Sequence, residues 1–130
     1  MKILAAYHGA DVGSEILKIA AGHAKFFSGE VLLMTSLEGD DKTDLDEINE
    51  AETALAEASK WLEDNGVSCQ THLVVRGHTP GEDIVLYAEE QKCVEIIIGV
   101  KSTSRVGKFL FGSTAQYVIL NAHCPVVSVK

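Results

Sequence analysis

At 130 residues the chain has room for one domain, 1–130, with a substantial buried core. Its composition, 46% apolar and 23% charged, is ordinary for a soluble globular protein, and no apolar run approaches the ~20 residues that span a bilayer. A net charge of −8 repels phosphate backbones, which excludes nucleic-acid binding outside a local basic patch. The run after Lys2 is too short for a signal-peptide core, so the expected location is the cytoplasm, away from membranes.

Lys2 to Tyr7 reads as a short strand closed by the turn His8-Gly9. From Asp11 to Phe27 apolar residues recur at helical spacing: Ile16, Leu17, Ala20, Ala21, Ala24 and Phe27. Asp11 or Ser14 supplies the cap, and Ser28-Gly29 stops the helix. Val31 to Thr35 is a second strand, and the acidic segment Leu37 to Thr43 is a loop. Thr43 or Asp44 opens a long helix whose inner face is Leu45, Ile48, Ala51, Leu55, Ala58 and Leu62. Asn65-Gly66 ends it in the manner of a helix C-cap.

Val67 to Val75 alternates and is rich in β-branched residues, so it is the third strand. Thr79-Pro80-Gly81-Glu82 is a capping box with proline in the first turn. It opens a helix carrying Ile84, Val85, Tyr87 and Ala88 that ends near Lys92. Val94 to Ile98 is apolar on both faces, which predicts a central parallel strand. Ser113-Thr114-Ala115-Gln116 reads as a second capping box, with Val118, Ile119 and Ala122 inward. Pro125 to Val129 closes the chain as a strand. Strict β-α alternation implies an α/β fold, an open parallel sheet with helices on both faces.

Ligands of such sheets sit outside the carboxyl ends of the strands. Those ends are Tyr7-His8-Gly9, Thr35-Ser36, Arg76-Gly77-His78 and Gly99-Val100-Lys101. A Walker loop is absent: Ser102 to Phe109 has Ser for the first Gly and Phe where Mg²⁺ needs a hydroxyl. His8 to Gly13 is not a dinucleotide fingerprint, and neither a flavin phosphate loop nor a receiver-type acid cluster is present. The positive signal is the segment from Gly99 to Thr114. Gly99 permits close backbone approach, Ser102 to Ser104 offer hydroxyls, and Lys101, Arg105 and Lys108 form the basic patch. Gly112-Ser113-Thr114 sets amide donors at a helix start, where an anion is favoured. The same residues also serve as an ordinary turn and cap.

His8 and His78 both fall at strand ends without a third ligand, so no metal site is expected. Cys69, Cys93 and Cys124 lack CxxC spacing and read as small buried thiols. No catalytic triad, Cys/His pair or paired carboxylates emerge from the spacing. The acids Asp40, Asp41, Asp44, Asp46 and Glu47 suit a helix start.

Over its whole length the chain resembles the universal stress protein family. The likeness rests on Lys2-Ile3-Leu4, on Arg76-Gly77-His78-Thr79-Pro80-Gly81-Glu82-Asp83-Ile84, and on Gly112-Ser113 through Ala122-His123-Cys124-Pro125-Val126-Val127. It implies a five-stranded sheet of order 3-2-1-4-5, similar to adenine nucleotide alpha hydrolases. It also implies a homodimer pairing the last strands, Val126 to Val129, and a role in stress response with protein partners unnamed. One branch of the family binds ATP through G-x2-G-x9-G-[ST]. Gly99, Gly112 and Ser113 match that motif, Ser102 replaces its second Gly, and His8 stands where an Asp is common. The resemblance implies ATP or AMP, with Mg²⁺ compatible. Base and ribose lie near Ala6, Tyr7, His8 and Thr35, and phosphates near Gly99, Lys101, Ser102, Arg105, Gly112, Ser113 and Thr114. No general base is apparent, so at most weak hydrolysis is expected. The competing expectation is a module of the same fold that has lost nucleotide and works through protein contacts.

Overall fold

A computed structural model describes residues 1–7, 12–37, 45–75, 78–100 and 112–130. Its elements follow in chain order: β1 (Lys2–Ala6), α1 (Gly13–Phe27), β2 (Glu30–Leu37), α2 (Leu45–Asp64), β3 (Cys69–Val75), α3 (Pro80–Glu90), β4 (Glu95–Gly99), α4 (Ser113–Asn121) and β5 (Val126–Val129). The five strands form one sheet of order β3-β2-β1-β4-β5, and every neighbouring pair is parallel.

Alternation along each strand divides the core into two layers. Ile3, Ala5, Val31, Leu33 and Ile97 face α1 and α2, where they meet Ile16, Ala20, Leu55 and Leu62. Leu4, Leu32, Met34, Ile96 and Ile98 face α3 and α4, where they meet Ile84, Ala88, Ala115 and Val118. The central strands are buried on both faces, as a parallel sheet between helices requires.

Helix ends follow local chemistry with instructive exceptions. Thr79 caps α3, accepting from Glu82 N–H at 3.5 Å and donating to the Glu82 carboxylate at 3.0 Å. Gly66 ends α2 with φ +80°, a conformation glycine adopts without penalty. Ser28, at φ 53°, takes the left-handed position after α1. Gly29 has a different constraint: a Cβ there would lie 2.6 Å from Met1 O.

Four expectations are corrected. The N-cap of α1 is Val12, with no side-chain bond; Ser14 is exposed inside the first turn, and Asp11 lies outside the described residues. The N-cap of α4 is Gly112, again without a side-chain bond, so Ser113 is the first helical residue and not the cap. Ile119 and Phe27 face solvent, 43% and 40% exposed. Ile119 lies just past the edge of the stripe set by Ala115 and Val118, whereas Phe27 shares the bearing of Ile16 and Ala20 but sits in the last turn of α1, beyond the buried stretch that ends at Ala24. Leu45 is also exposed, and the buried stripe of α2 consists of Leu55, Ala58 and Leu62.

Candidate functional site

The strand order reverses between β1 and β4, and there the two strands part. Their ladder runs from Ile3↔Glu95 to Ala5↔Ile97. Beyond it β1 stays with β2, through Ala6↔Met34 and a Tyr7 N–H to Met34 O bond of 2.8 Å. β4 instead stays with β5, through Gly99↔Val129 and a Val100 N–H to Val129 O bond of 2.9 Å. The two strands thus part at the carboxyl ends, at the switch point where such sheets hold ligands.

On the β1 side, the Thr35 hydroxyl and the backbone of Tyr7 are engaged. The Thr35 hydroxyl is buried and donates to Tyr7 O at 2.5 Å, so both backbone groups of Tyr7 have partners. The Tyr7 ring packs into the α1/α2 layer and over Gly13, where a Cβ would stand 3.1 Å from Tyr7 Cε1. Burial, then the Glu57 carboxylate, pushes its hydroxyl pKa up. Ala6, Tyr7 and Thr35 therefore make a wall in which the Tyr7 backbone and the Thr35 hydroxyl are already bonded.

The next strand end is also tied down. The Ser36 hydroxyl donates to Asp83 Oδ2 at 2.7 Å, and His78 N–H donates to Asp83 Oδ1 at 3.0 Å. Ser36 and Asp83 are both buried. One carboxylate on α3 thus joins the end of β2 to the turn after β3.

On the β4 side, Gly99 is glycine for a reason internal to the protein. A Cβ at this position would lie 2.6 Å from Val12 Cγ2 and 3.5 Å from Ile16 Cδ1. The start of α1 fills that space, so the close approach read from the sequence is made by Val12. The donors lie at α4, which runs back across the sheet with its N-terminus toward the carboxyl ends of the strands. Its ladder begins with Gln116 N–H to Gly112 O at 3.0 Å. The N–H groups of Ser113, Thr114 and Ala115 have no acceptor within the helix, and Gly112 brings no side chain to compete for them. His8, Lys101, Ser102 and Arg105 lie outside the described residues.

A model of the universal stress protein family matches residues 1–130. The chain belongs to that family. A universal stress protein of Methanocaldococcus jannaschii is 33% identical over 140 residues, covering 99% of this chain and 81% of that one. Among solved structures, a universal stress protein from Archaeoglobus fulgidus superposes with a TM-score of 0.91 at 36% identity, covering 100% and 98% of the two chains. A structure of the universal stress protein from that organism in complex with dAMP superposes at 0.85 with 34% identity and the same coverage.

Three residues that shape this universal stress protein's switch point were missed in the sequence. Val12 falls within the predicted helix, Asp11 to Phe27, with no role assigned, yet it fills the Cβ direction of Gly99. Ser36 and Asp83 read as polar residues beside a strand end and a capping box. Asp83 directly follows the box glutamate; an acid there facing inward was the one available hint. Among the described residues no cluster of metal-ligating side chains occurs, and no helix is long and apolar enough to cross a membrane.

Proposed function

We propose that this universal stress protein binds an adenine nucleotide, ATP or AMP, at the β1/β4 switch point, and acts as a cytoplasmic stress-response regulator without efficient turnover. The observation that carries the reading is the first turn of α4 at the switch-point end of the sheet, whose leading amides have no acceptor within the helix and no cap from the Gly112 side. Amide donors without intrahelical acceptors, headed by a glycine, suit phosphate oxygens. The Archaeoglobus fulgidus relative in complex with dAMP supports the nucleotide class. In this reading Gly112, Ser113 and Thr114 meet the phosphates, with Gly99, Lys101, Ser102 and Arg105 around them and Mg²⁺ beside them when ATP is bound. The base and ribose lie against Ala6, Tyr7, His8 and Thr35. Thr35 acts there by shape, because its hydroxyl is engaged.

Calorimetric titration with AMP, dAMP and ATP, each with and without Mg²⁺, tests the reading. Saturable binding at micromolar to sub-millimolar nucleotide is expected. An absence of heat and of thermal shift at millimolar nucleotide removes it.

A second reading, a module working through protein contacts, is favoured by Leu120, which projects from α4 81% exposed beside half-exposed Ile119. Large apolar side chains grouped on one face commonly mark contact surfaces. β5 is an edge strand with its outer side unpaired among the described strands, and pairing of Val126 to Val129 across a two-fold axis would join two copies. Light scattering at micromolar concentration is expected to give twice the chain mass, and Leu120→Glu to lower it. A monomer in the unmutated protein counts against the dimer.

A further inference from the structure

The turns feeding β4 and β5 bring two thiols together. Cys93 closes the turn after α3, its N–H donating to Ala88 O at 2.9 Å. Cys124 lies in the turn after α4. In the β4/β5 ladder Ile96 faces Val126, and Ile96 N–H donates to Pro125 O at 3.0 Å. Beyond that ladder, Cys93 in the turn before β4 and Cys124 in the turn before β5 enter the same core layer, and the Cys124 thiol is among the groups that act on Cys93. Neighbouring strands lie about 4.8 Å apart, so turns that enter them side by side bring residues within the span of a disulfide. Both side chains turn to the same face, packing in the layer that holds Ala88, Ala122 and Val126. Cys69 is on β3, three strand positions from β4, so about 14 Å of sheet separates it from this pair.

We propose that Cys93 and Cys124 form a dithiol site that a small-molecule disulfide oxidises to an intramolecular Cys93–Cys124 bond. Cys124 is half-buried and Cys93 buried, so the reaction enters at Cys124. Its thiolate attacks one sulfur of the reagent, the reagent's S–S bond breaks, and one thiolate leaves. The Cys93 thiolate then attacks the Cys124 sulfur of the mixed disulfide and expels the second reagent thiolate. The two protein thiols lose two electrons and two protons, and the reagent is reduced to two thiols. Burial, with the neighbouring Cys124 thiol second, pushes the Cys93 pKa up to about 11, and burial raises that of Cys124. Little thiolate exists at neutral pH, so oxidation accelerates as pH rises. The product ties the turn after α3 to the turn after α4 and closes a loop containing the whole of α4.

The test is peptide mapping and intact mass of the native full chain after oxidised glutathione at mildly alkaline pH. The expected product is two hydrogens lighter in its 93–124 pair, with a cross-linked peptide joining Cys93 to Cys124. Cys69→Ser is expected to leave the cross-link intact. Cys124→Ser is expected to abolish it while keeping the native circular dichroism spectrum. Three unreacted thiols, separate glutathione adducts on both Cys93 and Cys124, or a cross-link formed only in urea would each overturn the proposal.

Discussion

A methyl group on residue 99 would stand 2.6 Å from Val12 Cγ2, well inside contact distance. Relief requires the start of α1 to move, because Val12 is its N-cap and Ile16 lies behind it. Gly99→Ala is therefore expected to cost about 1–3 kcal/mol, as overpacking does. Val12→Ala in the same chain should return most of that loss, since it removes the clashing methyls. Urea melts of the two single variants and the double variant measure the coupling, and additive losses would contradict the packing account. Asp83 poses the opposite problem, a buried group that must keep its partners. Asp83→Ala leaves the Ser36 hydroxyl buried without its acceptor and frees His78 N–H, at an expected cost of about 2–3 kcal/mol. Asp83→Asn keeps an oxygen for His78 and presents a donor to Ser36, whose hydroxyl can accept instead, so a smaller loss is expected. Equal losses in the two variants would show that the bonds themselves matter little.

Among the helices, α3 and α4 begin differently, and the difference bears on binding. Thr79 engages the Glu82 N–H of α3 with its own side chain, whereas Gly112 brings no side-chain cap to α4. Gly112→Asp would supply an N-cap acceptor and a charge suited to the helix dipole, stabilising the free protein by about 0.5–1 kcal/mol. The same carboxylate would occupy the amides and repel phosphate, so nucleotide affinity should fall at least about tenfold. Stability and affinity moving in opposite directions is the expected signature, read by thermal melts and calorimetry on one sample. Affinity unchanged by Gly112→Asp would place the phosphates elsewhere. Such element-level chemistry was only partly legible in the sequence. Thr79-Pro80-Gly81-Glu82 could be read directly because each residue of a capping box acts on its own few neighbours. At α4 the cap is a glycine, which announces nothing, and the adjacent Ser113-Thr114 imitates the motif one residue late. At Ile119 the phase misled because apolar residues lie on more than one face of α4, whereas Phe27 is in phase and is exposed because α1 ends past the buried stretch.

At the scale of the whole molecule, strict β-α alternation was enough for a parallel sheet, but the order 3-2-1-4-5 came from the family resemblance. Alternation does not say which strand lies beside which. The parting of β1 and β4 after Ala5↔Ile97 is a matter of register, and the approach of Cys93 and Cys124 one of strand order and packing; a single sequence carries neither between distant strands. The assembled fold also sets how the protein responds to alkali. Tyr7, Cys69, Tyr87, Cys93 and Cys124 all have raised pKa values, and burial is the leading cause in each. Each of these groups is neutral when protonated, so the folded state holds its proton more tightly than the unfolded chain does. Their contribution is fully present below the ordinary thiol value of 9.0 and is lost as pH climbs through the raised values, to about 11 for Cys93. For Cys93, which solvent reaches only in part, the loss is on the order of 1–2 kcal/mol. Deprotonation also adds negative charge to a chain already at −8, which works in the same direction. Urea midpoints under reducing conditions should hold nearly constant up to about pH 8.5 and fall steeply by about pH 11. Cys93→Ala should start lower, for its lost packing, and decline less over the same interval. A midpoint that stays level through that range, or an unchanged slope in the Cys93 variant, would mean that the thiol is not held in its neutral form by the α3/α4 layer.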